Sequence, residues 1–120
     1  MDCSNPQKWE EMASLLRTIG HPIRLTILDE LCLGAKCVSD VQEMLDVSQS
    51  NLSQHLHALK QAGLIDSHTN GPLRCYYLIR PTLVKKLLQV LAKDHPTKPR
   101  PKQSVLREVA QHQKNKSLSA

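Results

Sequence analysis

No apolar run in the 120-residue chain approaches the length needed to span a membrane, and the first residues carry no apolar stretch of the signal-peptide kind. The expectation is a cytoplasmic protein with no membrane partner. Cysteine is scarce. Its four residues, Cys3, Cys32, Cys37 and Cys75, are too few and too irregularly spaced for the disulfide framework of a small secreted domain. In a reducing compartment they serve as core residues, soft-metal ligands or redox thiols. A glycine-rich phosphate loop, an obvious carboxylate pair and a zinc-hydrolase motif are all missing, so an enzyme is not expected. No internal repeat is visible, and the length suits one domain with a modest core plus a tail.

What the chain does have is charge, unevenly distributed. Residues 1–47 contain four Lys/Arg against eight Asp/Glu, whereas residues 48–93 contain six against Asp66 alone. Residues 94–120 contain six against Asp94 and Glu108, and the whole carries +5. A positive field that begins at residue 48 favours a polyanion partner on that side of the molecule.

The pattern of apolar residues is helical at first. Asn5-Pro6 is a good N-cap and N1 pair, followed by a stripe of Trp9, Met12, Ala13, Leu16 and Ile19 that stops at Gly20. Pro22 opens a second helix, apolar on more than one side through Ile23, Leu25, Ile27, Leu28, Leu31 and Cys32, and Gly34 ends it. Ser39-Asp40-Val41-Gln42 reads as a capping box for a short third helix containing Val41, Met44 and Leu45. Asp46-Val47 turns into a fourth, "SQSNLSQHLHALKQAG", with Ser48 suited to the N-cap and Gly63 to C′.

That fourth helix has an inward stripe of Leu52, Leu56 and Leu59. Its polar residues (Gln49, Ser50, Asn51, Ser53, Gln54, His55 and His57) are short or amide-bearing and almost uncharged, unlike the Glu and Lys of an ordinary solvated helix face. Such side chains read base edges and hold phosphates. Two short helices joined by a few residues, the second so equipped, form a helix-turn-helix. Two β-rich runs, 64–68 and 73–79, then flank Thr69-Asn70-Gly71-Pro72 as a hairpin, which after a helix-turn-helix is a wing. Pro81 opens a fifth helix to about Lys93. Its apolar face (Leu83, Val84, Leu87, Leu88, Val90, Leu91) is too wide for one edge of a small domain and points to a dimer interface shared with the first helix. "DHPTKPRPK" reads as a linker, and residues 103–113 as a short extra helix.

Three stretches, "IGHPIRLTIL", "CVSDVQEMLDVSQSNLSQHLHALKQAGLI" and "NGPLRCYYLI", occur in the order and spacing of the ArsR/SmtB family of winged-helix repressors, which the chain resembles over roughly residues 8 to 93. The expected fold is mainly α with a β-hairpin wing: a homodimeric winged helix-turn-helix of five helices plus wing. Residues 1–93 are its expected DNA-binding and dimerisation domain, and 94–120 a basic, proline-containing tail that either binds DNA nonspecifically through Lys98, Arg100 and Lys102 or keeps the protein soluble. The resemblance implies a transcriptional repressor that binds an inverted-repeat operator in double-stranded DNA and leaves it when an inducer binds, often a metal or metalloid. Gln49, Ser50 and Gln54 are then the candidates for base edges, with Ser48, Ser53 and His57 for phosphates. His68 and Arg74 are the wing's candidates for backbone or minor groove, and Lys60 is expected to be a backbone or surface charge.

The resemblance thins at the thiols. Family metal sensors often carry Cys-Val-Cys-Asp-Leu-Cys at the third helix. Here "CVSDVQ" keeps Cys37 but has Ser39 and Gln42 at the other two positions. A second family site, on the last helix, falls on Pro81, Leu83, Asp94 and Thr97, with His95 one residue out of place. On one continuous helix Cys32 and Cys37 would lie about 140° apart, but Gly34 lets the chain bend. A short strand over Ala35 to Val38 beside Cys75 to Ile79 would bring Cys75 close as well. Three thiols, Cys32, Cys37 and Cys75, would suit As(III) as inducer. Two, Cys32 and Cys37, would suit a redox or reactive-sulfur response. Alternatively Cys75 alternates with Tyr77 and Ile79 onto a buried strand face and is a small core hydrophobe. His55 and His57, two apart on a helix, cannot chelate as a pair. The runner-up function is a winged-helix protein-interaction module without sensing.

Overall fold

A computed structural model describes residues 5–118; Cys3 lies outside them. The chain runs α1 (Pro6–Ile19), α2 (Pro22–Leu31), β1 (Lys36–Cys37), α3 (Val38–Met44), α4 (Gln49–Gln61), β2 (Ile65–Asn70), β3 (Leu73–Leu78), α5 (Pro81–Ala92) and α6 (Lys102–Leu118). The three strands form one antiparallel sheet in the order β1-β3-β2. α3 and α4 are the helix-turn-helix and β2–β3 the wing, so the fold is a winged helix-turn-helix.

Local chemistry starts and stops these elements. The Asn5 side chain accepts from Gln7 N–H at 3.1 Å ahead of Pro6, and Ser48 Oγ accepts from Asn51 N–H at 3.1 Å at the head of α4. α2 is capped by a residue the sequence did not flag: His21 Nδ1 accepts from Ile23 N–H at 3.1 Å. The capping-box reading of Ser39 does not hold. α3 begins at Val38, because β1 pairing carries the chain in extended form as far as Cys37, and the helix has no side-chain cap. The strands also reach further into the expected turn. Asn70 pairs with Leu73, leaving Gly71-Pro72 as a two-residue loop with Gly71 at φ 60°, in the first central position where a hairpin turn of this length accepts positive φ.

The core is one cluster. Ile27 and Leu28 of α2, Val41 of α3, Leu52, Leu56 and Leu59 of α4, Leu64, Ile65 and Val84 are essentially inaccessible. Each such side chain contributes about 1.5–3 kcal/mol relative to exposure. Every helix of the body except α6 supplies at least one buried residue, so α4 is fixed by the core on one side. β3 sends Tyr76 inward, with Leu78 packed against the core, which leaves Cys75 and Tyr77 half-buried on the opposite face and Ile79 exposed beyond them. The buried-face alternative for Cys75, Tyr77 and Ile79 is therefore corrected: strand alternation places the other set inside.

Outside the core, Leu83, Val90 and Leu91 of α5 and Trp9 and Leu16 of α1 remain exposed. α6 is longer than the 103–113 stretch expected and buries none of its described side chains, with Val105, Leu106 and Val109 open. Arg100 pairs with Glu108 and Ser104 across its start.

Candidate nucleic-acid interface

Packing Leu52, Leu56 and Leu59 inward turns the other side of α4 to solvent. Ser48, Gln49, Ser50, Ser53, Gln54 and His57 are all exposed, as are His68 and Arg74 on the wing. None of these eight helix and wing candidates for DNA contact is buried in the described chain. Ser48 Oγ lies 3.3 Å from Ser50 Oγ at the helix N-terminus, where unpaired N–H groups and the helix dipole favour an anion.

A cleft of about 280 Å³ is lined by Gln49 and Ser53 of α4, by Pro72, Leu73 and Arg74 of the wing, and by Cys37 and Ser39. Arg74 and Gln49 thus line one depression, a cationic residue beside an amide-bearing one. His68 stacks on Tyr77 (centroids 5.2 Å apart, 14° between planes), which fixes its ring on the sheet.

Lys60 Nζ donates to Ser67 Oγ at 3.2 Å and pairs with Asp66 at 3.6 Å, tying α4 to the first wing strand. Asp66 also accepts from Ser67 N–H at 2.8 Å. That bond first, and Lys60 after it, hold its carboxyl below the usual carboxylate range. Lys60 is a surface charge that bridges α4 and the first wing strand.

One residue of the helix's polar set behaves differently. His55 is 7 % exposed and sits in the Leu52–Leu56–Leu59 stripe, where its position three residues after Leu52 should have placed it. Its Nδ1 accepts from Arg24 Nε at 3.0 Å, its ring lies 4.4 Å from that of His21, and Arg24 also donates to the Thr18 carbonyl at 3.1 Å. Burial, then the neighbouring His21 and Arg24, lower the His55 pKa, which favours the neutral imidazole that can accept at Nδ1. Arg24 is thereby a clamp joining the end of α1, α2 and the recognition helix. The sequence offered no sign of it, because Arg24 and His55 are 31 residues apart.

The thiols divide into two places. Cys37 and Cys75 meet, with their sulfurs 2.8 Å apart. Cys32 instead lines a separate depression with Asp29, Lys85 and Leu88, and burial followed by the Asp29 charge pushes its thiol up. Among the described residues no three His, Cys, Asp or Glu side chains gather as a metal site. Among the described residues no helix is long and apolar enough to cross a membrane.

Known proteins resemble this arrangement. Residues 21–67 match the family described as bacterial regulatory protein, arsR family. The biofilm growth-associated repressor of Agrobacterium fabrum is 32% identical over 81 residues, 68% of each chain. The arsenical resistance operon repressor of Staphylococcus xylosus is 34% identical over 70 residues, 58% of this chain and 67% of that one. Among solved structures, the transcriptional repressor BigR from Xylella fastidiosa superposes with a TM-score of 0.64 at 27% identity, over 74% of this chain and 94% of the other.

Proposed function

The chain belongs to the arsR family of bacterial regulatory proteins and is a DNA-binding transcriptional regulator, not an enzyme; from that premise we propose that it is a homodimeric repressor whose α4 helices read the two halves of an inverted-repeat operator. The observation that carries this reading is the eight-residue polar set, every member exposed, on a recognition helix and wing flanked by one cleft. Gln49, Ser50 and Gln54 meet base edges, Ser48, Ser53 and His57 meet phosphates, and His68 and Arg74 reach the backbone or minor groove from the wing. The exposed apolar residues of α1 and α5 supply the dimer contact, since no monomer needs Leu83, Val90, Leu91, Trp9 and Leu16 all open to water.

Release follows from linkage: an inducer that prefers the DNA-incompetent dimer lowers operator affinity by the factor of that preference. The relative from Staphylococcus xylosus is named for arsenical resistance, which favours a thiophilic inducer. A three-cysteine As(III) centre does not fit, because Cys32 stands apart. Among the described residues As(III) finds two thiols, Cys37 and Cys75, and a further donor must complete its shell. The redox pairing of Cys32 with Cys37 meets the same obstacle.

Hydroxyl-radical footprinting of the chain on DNA from upstream of its own gene tests the symmetry. Two protected half-sites, centred about 10 base pairs or a multiple apart and filled at two chains per duplex, are expected. A single protected patch at one chain per duplex contradicts the dimer reading.

A further inference from the structure

We propose that Cys37 and Cys75 form a cross-strand dithiol site that a low-molecular-weight disulfide oxidises reversibly to an intramolecular disulfide, strapping the wing to the head of the helix-turn-helix. The site follows from register. Cys37 is the last residue of β1 and Cys75 lies directly opposite it on β3, so both side chains leave the same face of the sheet. Directly opposed residues of an antiparallel pair have Cα atoms about 4.5–5.5 Å apart, inside the roughly 4.4–6.8 Å window of a disulfide. The sulfurs already touch at 2.8 Å, and bonding needs an approach of less than ~1 Å, with no change of backbone register. Both thiols are free and half-buried. Cys37 lines the cleft beside Gln49, Ser53 and Arg74, which gives a small reagent its way in.

The chemistry balances within the pair and its reagent. The Cys37 thiolate attacks one sulfur of R–S–S–R, forming a mixed disulfide and expelling RS⁻. Cys75 then loses its proton to solvent and attacks the Cys37 sulfur, forming the Cys37–Cys75 bond and expelling the second RS⁻. The two thiolates take up the two protons released by the cysteines. The chain loses two electrons and the reagent gains them, yielding two RSH. The hydrogen bond to Cys75, and burial after it, raise the Cys37 thiol, so the first step starts from a small thiolate fraction and proceeds slowly at neutral pH.

The bond would add a covalent link between two elements that only sheet pairing joins in the reduced chain. Cys37 is the N-cap residue of α3, and Cys75 sits mid-way along the second wing strand. The proposal shares its cysteines with the inducer reading above but is tested without DNA, so either can fail alone.

The test uses the full chain, reduced, freed of reductant and incubated with millimolar oxidised glutathione. Remaining thiols are then blocked with N-ethylmaleimide and the digest is mapped by mass spectrometry. A Cys37–Cys75 linked peptide is expected, with Cys3 and Cys32 blocked. The melting temperature should rise by about 10 °C, because the closed loop restricts the unfolded chain, and dithiothreitol should reverse the rise. Cys32→Ser should retain both effects, and Cys37→Ser and Cys75→Ser should each lose both. Blocking of Cys37 and Cys75 at the untreated level, a linkage that maps to Cys32, or a lasting glutathione adduct on Cys37 would each overturn the proposal.

Discussion

Replacing Gln49 and Gln54 together by alanine is expected to weaken binding to the protein's own promoter about 10²–10³-fold while leaving the fold intact. Both side chains are exposed on the first two turns of α4, and neither makes a hydrogen bond to the described protein that the fold depends on. An amide that bonds a base edge with two contacts contributes about 1–3 kcal/mol of discrimination, so two of them account for losses of this size. Alanine is the better helix former, so the melting temperature should hold within a few degrees. The loss should appear on the specific sequence and be nearly absent on unrelated duplex, because the proposed phosphate contacts of Ser48, Ser53 and His57 remain. Fluorescence anisotropy on the two duplexes, with a melt of the same sample, checks all three statements. An equal loss on both would move Gln49 and Gln54 from base edges to the backbone.

The second large effect lies on the opposite side of the same helix. Leu52 is wholly inaccessible and packs in the cluster with Leu28, Val41 and Leu56. Truncating it to alanine removes its buried surface and leaves a cavity, at a cost of about 2–5 kcal/mol. The melting temperature should fall by roughly 10–20 °C. DNA affinity measured well below the new melting point should change little, since the exposed polar set is untouched. Thermal denaturation followed by circular dichroism gives the first number. A shift under about 2 °C would mean that α4 is not seated in the core as described.

Much of this architecture was legible because its signals are local. The Leu52–Leu56–Leu59 stripe, the Ser48 cap, the Asn-Gly hairpin and the prolines at the starts of α1, α2 and α5 each act within a few residues, and each marks an element that is present. The polar set of α4 and the wing stands out for the same reason: its composition is wrong for a solvated helix.

What was not legible is what depends on contacts between distant segments. The start of α3 is decided by β1 pairing to a strand almost forty residues on, which overrides a good capping box at Ser39. Burial of His55 depends on the donor that Arg24 provides from another helix, without which the site would be costly for a polar ring. Which face of β3 turns inward rests on Tyr76 fitting the core, and the β1–β3 register then sets Cys75 against Cys37.

The central claim is that α4 and the wing bind a specific DNA sequence through this polar set. Its most direct measurement is fluorescence anisotropy of the reduced wild-type chain on a duplex from upstream of its own gene and on a shuffled duplex of the same composition, repeated from low to moderate salt. The account predicts binding to the native duplex at least ~10³-fold tighter than to the shuffled one. It also predicts a linear, steep fall of log affinity with log salt on both, as released counterions require. Equal affinity for the two duplexes, or binding that salt does not weaken, would contradict it.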